Sequence, residues 1–162
     1  MDRFVPSLLD KLLGTPQEQP GASAQGVDIA QIKAAVARDI ETLLNTRPGY
    51  RPSQLSGFEQ ATHSLLTFGL VDISPLSLAS DRDRGAIVRA ITRALLDHEP
   101  RLRGVKVAVR EGMPTCAGLC FTIHAQLQLQ RSSEPVAFDA VLQPGSNRYA
   151  VTSGGAGARV AP

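Results

Sequence analysis

Apolar residues recur along the first two thirds of the chain at intervals of three and four, and along the last third at every second position. That change of period divides the chain into a helical part and a stranded part. Near the start, Phe4, Leu8, Leu9, Leu12 and Leu13 follow Pro6, a residue suited to a first helical turn, so residues 1–14 are expected to form a short amphipathic docking helix. Residues 15–27 collect Gly, Pro, Gln, Ser and Ala without a period and read as a flexible linker. Asp28 then offers a cap with Gln31 three residues on, and Ile29, Ile32, Val36, Ile40 and Leu43 define the buried stripe of a helix stopped at Arg47-Pro48-Gly49.

A further helical stripe is expected from Phe58, Ala61, Leu65 and Phe68, with Gly69 as its left-handed terminating residue. Ser80-Asp81-Arg82-Asp83 resembles a capping box and places two carboxylates against the positive end of a helix dipole. The helix it opens buries Ile87, Ile91, Ala94 and Leu95, exposes Arg89 and Arg93, and must end near Glu99, because Pro100 disfavours helical geometry in the residue before it.

From there the period is two. Val105, Val107 and Val109 alternate with Lys106, Ala108 and Arg110. Leu119, Phe121, Ile123, Ala125, Leu127 and Leu129 alternate with Thr122, His124, Gln126, Gln128 and Gln130, which gives one apolar and one polar face. Val136, Phe138, Ala140 and Leu142 predict a third strand, and the turn Pro144-Gly145-Ser146-Asn147 leads to a fourth from Arg148 to Thr152. Helices followed by strands on short loops predict an α+β fold, with the N-terminal helices packed on one face of a C-terminal antiparallel sheet. Residues 28–153 form the single domain on this reading, and 154–162 a disordered Gly-rich tail.

Composition narrows the function. With 162 residues the chain is the size of one domain, and 17 basic against 15 acidic side chains leave a formal charge of only +2, too little for a field that gathers nucleic acid. No run approaches the ~20 apolar residues of a membrane span, so a cytoplasmic protein is expected. Cys116 and Cys120, if both lay along one strand, would be about 13 Å apart, beyond disulfide reach, so free thiols are expected. His63, His98 and His124 lie on separate elements without metal-ligand spacing, and neither a metal nor a cofactor is expected.

Four segments carry a family likeness: Pro6-Ser7-Leu8-Leu9-Asp10-Lys11-Leu12, Asp39-Ile40-Glu41-Thr42-Leu43-Leu44-Asn45-Thr46-Arg47, Ser64-Leu65-Leu66-Thr67-Phe68-Gly69-Leu70, and Glu99-Pro100-Arg101-Leu102. In this order, with strands after them, the chain resembles the TssE family, the baseplate subunits of bacterial type VI secretion, and its relatives in the baseplate wedges of contractile phages. The resemblance implies a structural subunit and not an enzyme. Its implied partners are other wedge subunits and the contractile sheath proteins, with no nucleic acid, membrane insertion or small-molecule substrate, at the cytoplasmic baseplate of a membrane-anchored bacterial complex. Two positions depart from the pattern: His98 stands where an aromatic residue usually precedes Glu-Pro-Arg, and Val71 where Pro is common.

Glu99, Pro100 and Arg101 are the candidate partner-binding residues. From the residues alone they form a helix stop with an ion pair, worth ~0–1 kcal/mol at a surface. The resemblance makes this rigid charged corner a docking site, with Arg101, suited to two-point contact, as the better anchor. It also suggests that the sheet accepts or imitates a sheath strand along its edge. The alternative is a peptidoglycan-cleaving muramidase, after the lysozyme-like label carried by the family. That chemistry needs two carboxylates roughly 5–9.5 Å apart facing one sugar. Asp97 and Glu99 are two apart at a helix end, Asp81 and Asp83 fit a cap, and the chain has no Trp for sugar stacking, so no catalytic residue is assigned.

Overall fold

The computed structural model describes residues 28–77, 79–110, 118–129, 132–143 and 145–154. The expected docking helix at 1–14, the linker at 15–27 and the tail beyond Gly154 lie outside the described residues. Helix α1 runs Ile29–Asn45 and helix α2 runs Asp81–His98. Strands β1 (Leu102–Arg110), β2 (Leu119–Gln128), β3 (Ser133–Gln143) and β4 (Arg148–Ser153) form one antiparallel sheet in the order β1-β2-β3-β4. Helix α1 packs on β4 and α2 on β1, which gives the α+β layout expected from the change of period.

Both helices start and stop where local chemistry dictates. The Asp28 amide donates to Gln31 Oε1 at 3.2 Å, and the last turn of α1 closes with the Thr46 amide on the Leu43 carbonyl before Pro48. Ser80 Oγ accepts the Asp83 amide, and the Glu99 amide still reaches the Leu95 carbonyl at 2.9 Å before Pro100 ends the helix. The buried stripe of α2 is Ile87, Ile91, Ala94 and Leu95, as its spacing predicts. In α1 the buried set is Ala35, Val36, Ala37, Ile40, Leu43 and Leu44, while Ile29 and Ile32 are half-buried, Ile32 packing against the rim of the core.

The core joins these stripes to Phe121, Ile123, Leu127, Phe138, Leu142 and Tyr149 on the inner face of the sheet. In β1 the register shifts between Arg103 and Lys106, where Gly104 takes φ +61°. Without that bulge Leu102 and Val105 would face opposite sides; with it both are buried.

The segment between the helices departs from expectation. Instead of one helix with Phe58, Ala61, Leu65 and Phe68 inward, it forms three short 3-10 turns, Pro52–Leu55, Glu59–His63 and Leu65–Thr67. Phe58 and Leu65 are 69% and 86% exposed. Hydroxyl groups divert the backbone. Thr62 Oγ1 donates to the Glu59 carbonyl, Thr67 Oγ1 donates to the Thr62 carbonyl, and Ser64, extended at ψ 179°, accepts the Leu66 amide on its own side chain. Such local bonds compete with helix propagation. Gly69 does take a positive φ of +126°, but at a close crossing against the end of α1 and not as a helix cap.

The cysteines also depart from expectation. Cys120 is disulfide-bonded, and the chain's other cysteine, Cys116, lies outside the described residues. Strand β2 begins only at Leu119, so the premise of two cysteines spaced along one strand does not hold.

Tyr149, 2% exposed, packs its ring 6.3 Å from that of Phe121, and its hydroxyl is buried without a bonding partner among the described residues. Burial raises the hydroxyl's pKa above its ordinary 10.0, with Arg47 opposing. The unfolded chain therefore ionises this group from about pH 10 while the folded chain holds its proton, so its contribution to stability is present below pH 10 and lost above it. Tyr149→Phe is expected to be more stable than the parent by about 1 kcal/mol at pH 7. It should also lose less stability between pH 9 and about pH 11 in urea titrations. A less stable phenylalanine variant at pH 7 would show that the hydroxyl is well bonded.

Candidate functional site

Three elements meet at the Glu99-Pro100-Arg101 corner: the end of α2, the start of β1 and the middle of α1. Arg101 Nε donates to Glu99 Oε1 at 2.7 Å and its NH2 nitrogen to Glu99 Oε2 at 2.7 Å, a two-point pair. The same NH2 group donates to Asp39 Oδ2 on α1 at 2.5 Å. Two further backbone bonds hold the turn, from the Arg101 amide to Glu99 Oε1 and from the Leu102 amide to the Glu99 carbonyl. The Arg101 carbonyl accepts from the Gln128 amide, which ties the corner to β2.

The corner is less open than a surface ion pair. The Glu99 side chain is 7% exposed, against 33% for Arg101 and 38% for Asp39, while Pro100 is exposed. Its hydrogen bonds to Glu99, despite partial desolvation, and next those to Asp39, raise the already high pKa of the Arg101 guanidinium. Two carboxylates around one guanidinium leave the cluster with a formal charge of −1. Asp39 is the residue that the sequence does not single out as a partner of the motif. Its only signal there is its place at the head of the second family segment, 62 residues away.

His98, the departure before the motif, keeps the packing role of an aromatic residue. Its ring stands edge-on to Phe68 with centroids 5.5 Å apart, and its Nε2 lies 3.0 Å from the Thr67 carbonyl. The second family segment is thus fastened to the fourth through Asp39 and Arg101, and the third to the residue just before the fourth, through Phe68 and His98.

For the muramidase reading the geometry is unfavourable. Asp97 is held by Arg93 at 2.7 Å with His63 Nδ1 at 3.7 Å, whereas both oxygens of Glu99 are held by Arg101. The two carboxylates address different arginines and not one cleft. No group of residues able to hold a metal occurs among the described residues, and none of their helices is long and apolar enough to cross a membrane.

The edges of the sheet differ. At β4, Asn45 of α1 donates its side-chain amide to the Tyr149 carbonyl and accepts the Tyr149 amide, both at 2.8 Å, and Glu41 Oε2 accepts the Val151 amide at 2.8 Å. At β1, no described residue beyond β2 bonds the backbone between Arg103 and Val109. One edge is capped by side chains of the protein's own helix, and the other is bare among the described residues.

A helix pair locked to a four-stranded antiparallel sheet by an internal ion cluster defines an α+β domain. The family model for baseplate wedge protein gp25 matches residues 30–132, and the chain belongs to that family. The match takes in both helices, β1 and β2. Membership supports a structural role in a phage-tail-like baseplate, with other baseplate proteins as partners. Among curated proteins none matches the chain.

Proposed function

We propose that this chain is a structural subunit of the baseplate of a bacterial type VI secretion machine, cytoplasmic, binding the wedge subunits and connecting the baseplate to the contractile sheath. The observation that carries the reading is the state of Arg101. Its guanidinium is one-third exposed yet held in one orientation by Glu99 and Asp39, so little side-chain entropy remains to be lost when a partner docks. Pro100, exposed beside it, keeps the turn rigid. In this reading Glu99 orients the guanidinium from a buried position, Pro100 shapes the contact, and Arg101 offers its remaining N–H groups to a carboxylate or carbonyl of a wedge subunit. The edge of β1, which starts at the same corner and has no backbone partner beyond β2 among the described residues, supports strand addition from the sheath.

The test is Arg101→Lys, which keeps the charge and loses the planar fork. The variant should fold, with an unchanged circular dichroism spectrum, yet co-purify several-fold less with wedge partners and fail to nucleate sheaths in cells. Normal sheath assembly with the lysine variant would remove Arg101 from the contact.

A further inference from the structure

We propose that Glu41 and Asn45 form an edge lock: they stand in for a fifth strand beyond β4 and prevent a second copy of this chain from adding there. This inference rests on the hydrogen bonds alone and is independent of the proposed function. An uncovered edge strand presents unpaired N–H and C=O groups and is a template for another strand. In β4 the groups facing away from β3 belong to Tyr149 and Val151, since both backbone groups of Tyr149 and the amide of Val151 bond to α1. Asn45 supplies a carbonyl and an N–H to one residue, as a neighbouring strand does, and Glu41 supplies an acceptor to the next outward-facing residue.

The spacing explains why a helix can do this. Residues four apart on a helix lie on one face with a rise of about 6 Å, and residues two apart on a strand are about 6.8 Å apart. The pair Glu41 and Asn45 therefore matches the pair Val151 and Tyr149 in antiparallel order. An incoming strand would have to displace three bonds and leave a carboxylate and an amide at the interface unpaired, which costs more than the new ladder returns.

The occupant that the lock excludes is a second β4. About a two-fold axis at Ala150, antiparallel β4 strands place Tyr149 opposite Val151 and Val151 opposite Tyr149, so each outward amide meets an outward carbonyl. The tyrosine and valine side chains stay in their own cores, as both are buried. Such self-complementarity is what makes the edge a hazard if it is left unlocked.

The experiment uses the full chain with Glu41→Ala and Asn45→Ala together, and separately the near-isosteric pair Glu41→Gln and Asn45→Asp, which keeps its acceptors but loses the donation to the Tyr149 carbonyl. In the alanine pair, amide hydrogen exchange at Tyr149 and Val151 should quicken at least tenfold at low concentration. Sedimentation equilibrium should then show a dimer as concentration rises, with both amides regaining protection. The Gln/Asp pair should remain folded and show a smaller shift in the same direction. Adding Val151→Pro, which deletes an outward donor, should return the alanine pair to a monomer. Unchanged exchange at both amides with a monomer at all concentrations, in either pair, overturns the proposal. So does a dimer that survives Val151→Pro.

Discussion

Replacing Arg101 with alanine lowers the folding stability of the chain by about 2–4 kcal/mol, read as a lower urea midpoint with an unchanged slope. The loss follows from what stays behind. Glu99, with its side chain 7% exposed, keeps a carboxylate whose Oε2 has lost its donor and whose Oε1 retains only the backbone amide of residue 101 at 3.3 Å, and Asp39 faces it without the guanidinium between them. Breaking a buried pair from one side costs about 3–5 kcal/mol, and the one-third exposure of Arg101 brings the figure down because water reaches part of the site. Asp39→Ala should cost far less, about 0–1 kcal/mol, since Arg101 still has Glu99 and Asp39 is the most exposed of the three. A full cycle with Glu99→Gln and Arg101→Ala should show the double variant losing less than the sum of the singles. An Arg101→Ala midpoint equal to the parent's would mean that the cluster is an ordinary surface contact.

Gly69→Ala is expected to be at least as damaging, about 3 kcal/mol or more, with a chain that accumulates poorly. A β-carbon on Gly69 would lie 2.5 Å from the Thr46 carbonyl oxygen and 2.8 Å from its carbon, both backbone atoms that cannot rotate away. The Leu70 amide bonds that same Thr46 oxygen at 2.9 Å, so the crossing cannot open without losing the bond. The φ of +126° adds strain for any L side chain. The control is Gly57→Ala, which also has positive φ but meets nothing within 4 Å; it should lose only the conformational part, about 1 kcal/mol. Equal effects at the two positions in thermal unfolding would contradict the role of the Thr46 contact.

These effects show what a period can and cannot reveal. Alternation from Phe121 to Leu127 and the stripe Ile87, Ile91, Ala94 and Leu95 were legible because each position is buried by its own element's geometry, although Thr122 on the polar face is buried too and Leu119 and Leu129 are only half-buried. The stripe through Phe58 and Leu65 was misleading, because helical spacing says nothing of the Thr62, Ser64 and Thr67 hydroxyls that take the backbone bonds instead. Gly69 announced a positive φ, but not the reason for it. In the site, Glu99-Pro100-Arg101 was legible as a rigid charged corner, since Pro100 restricts its neighbours wherever it stands.

The amino-acid sequence by itself determined the two long helices and the four strands, where the helices end and which residues they bury, because capping, proline geometry and hydrophobic period act over a few residues. The tertiary structure alone decided which groups meet. Asp39 reaches Arg101 across 62 residues, and Asn45 reaches Tyr149 across 104, through bonds whose partners are set by how two helices lie on a sheet. Ionic and polar partners carry no period, so no spacing along the chain marks them. Pairing at such distances is specified only once the apolar faces have packed, and that packing turns the legible corner into an ion cluster and closes one edge of the sheet.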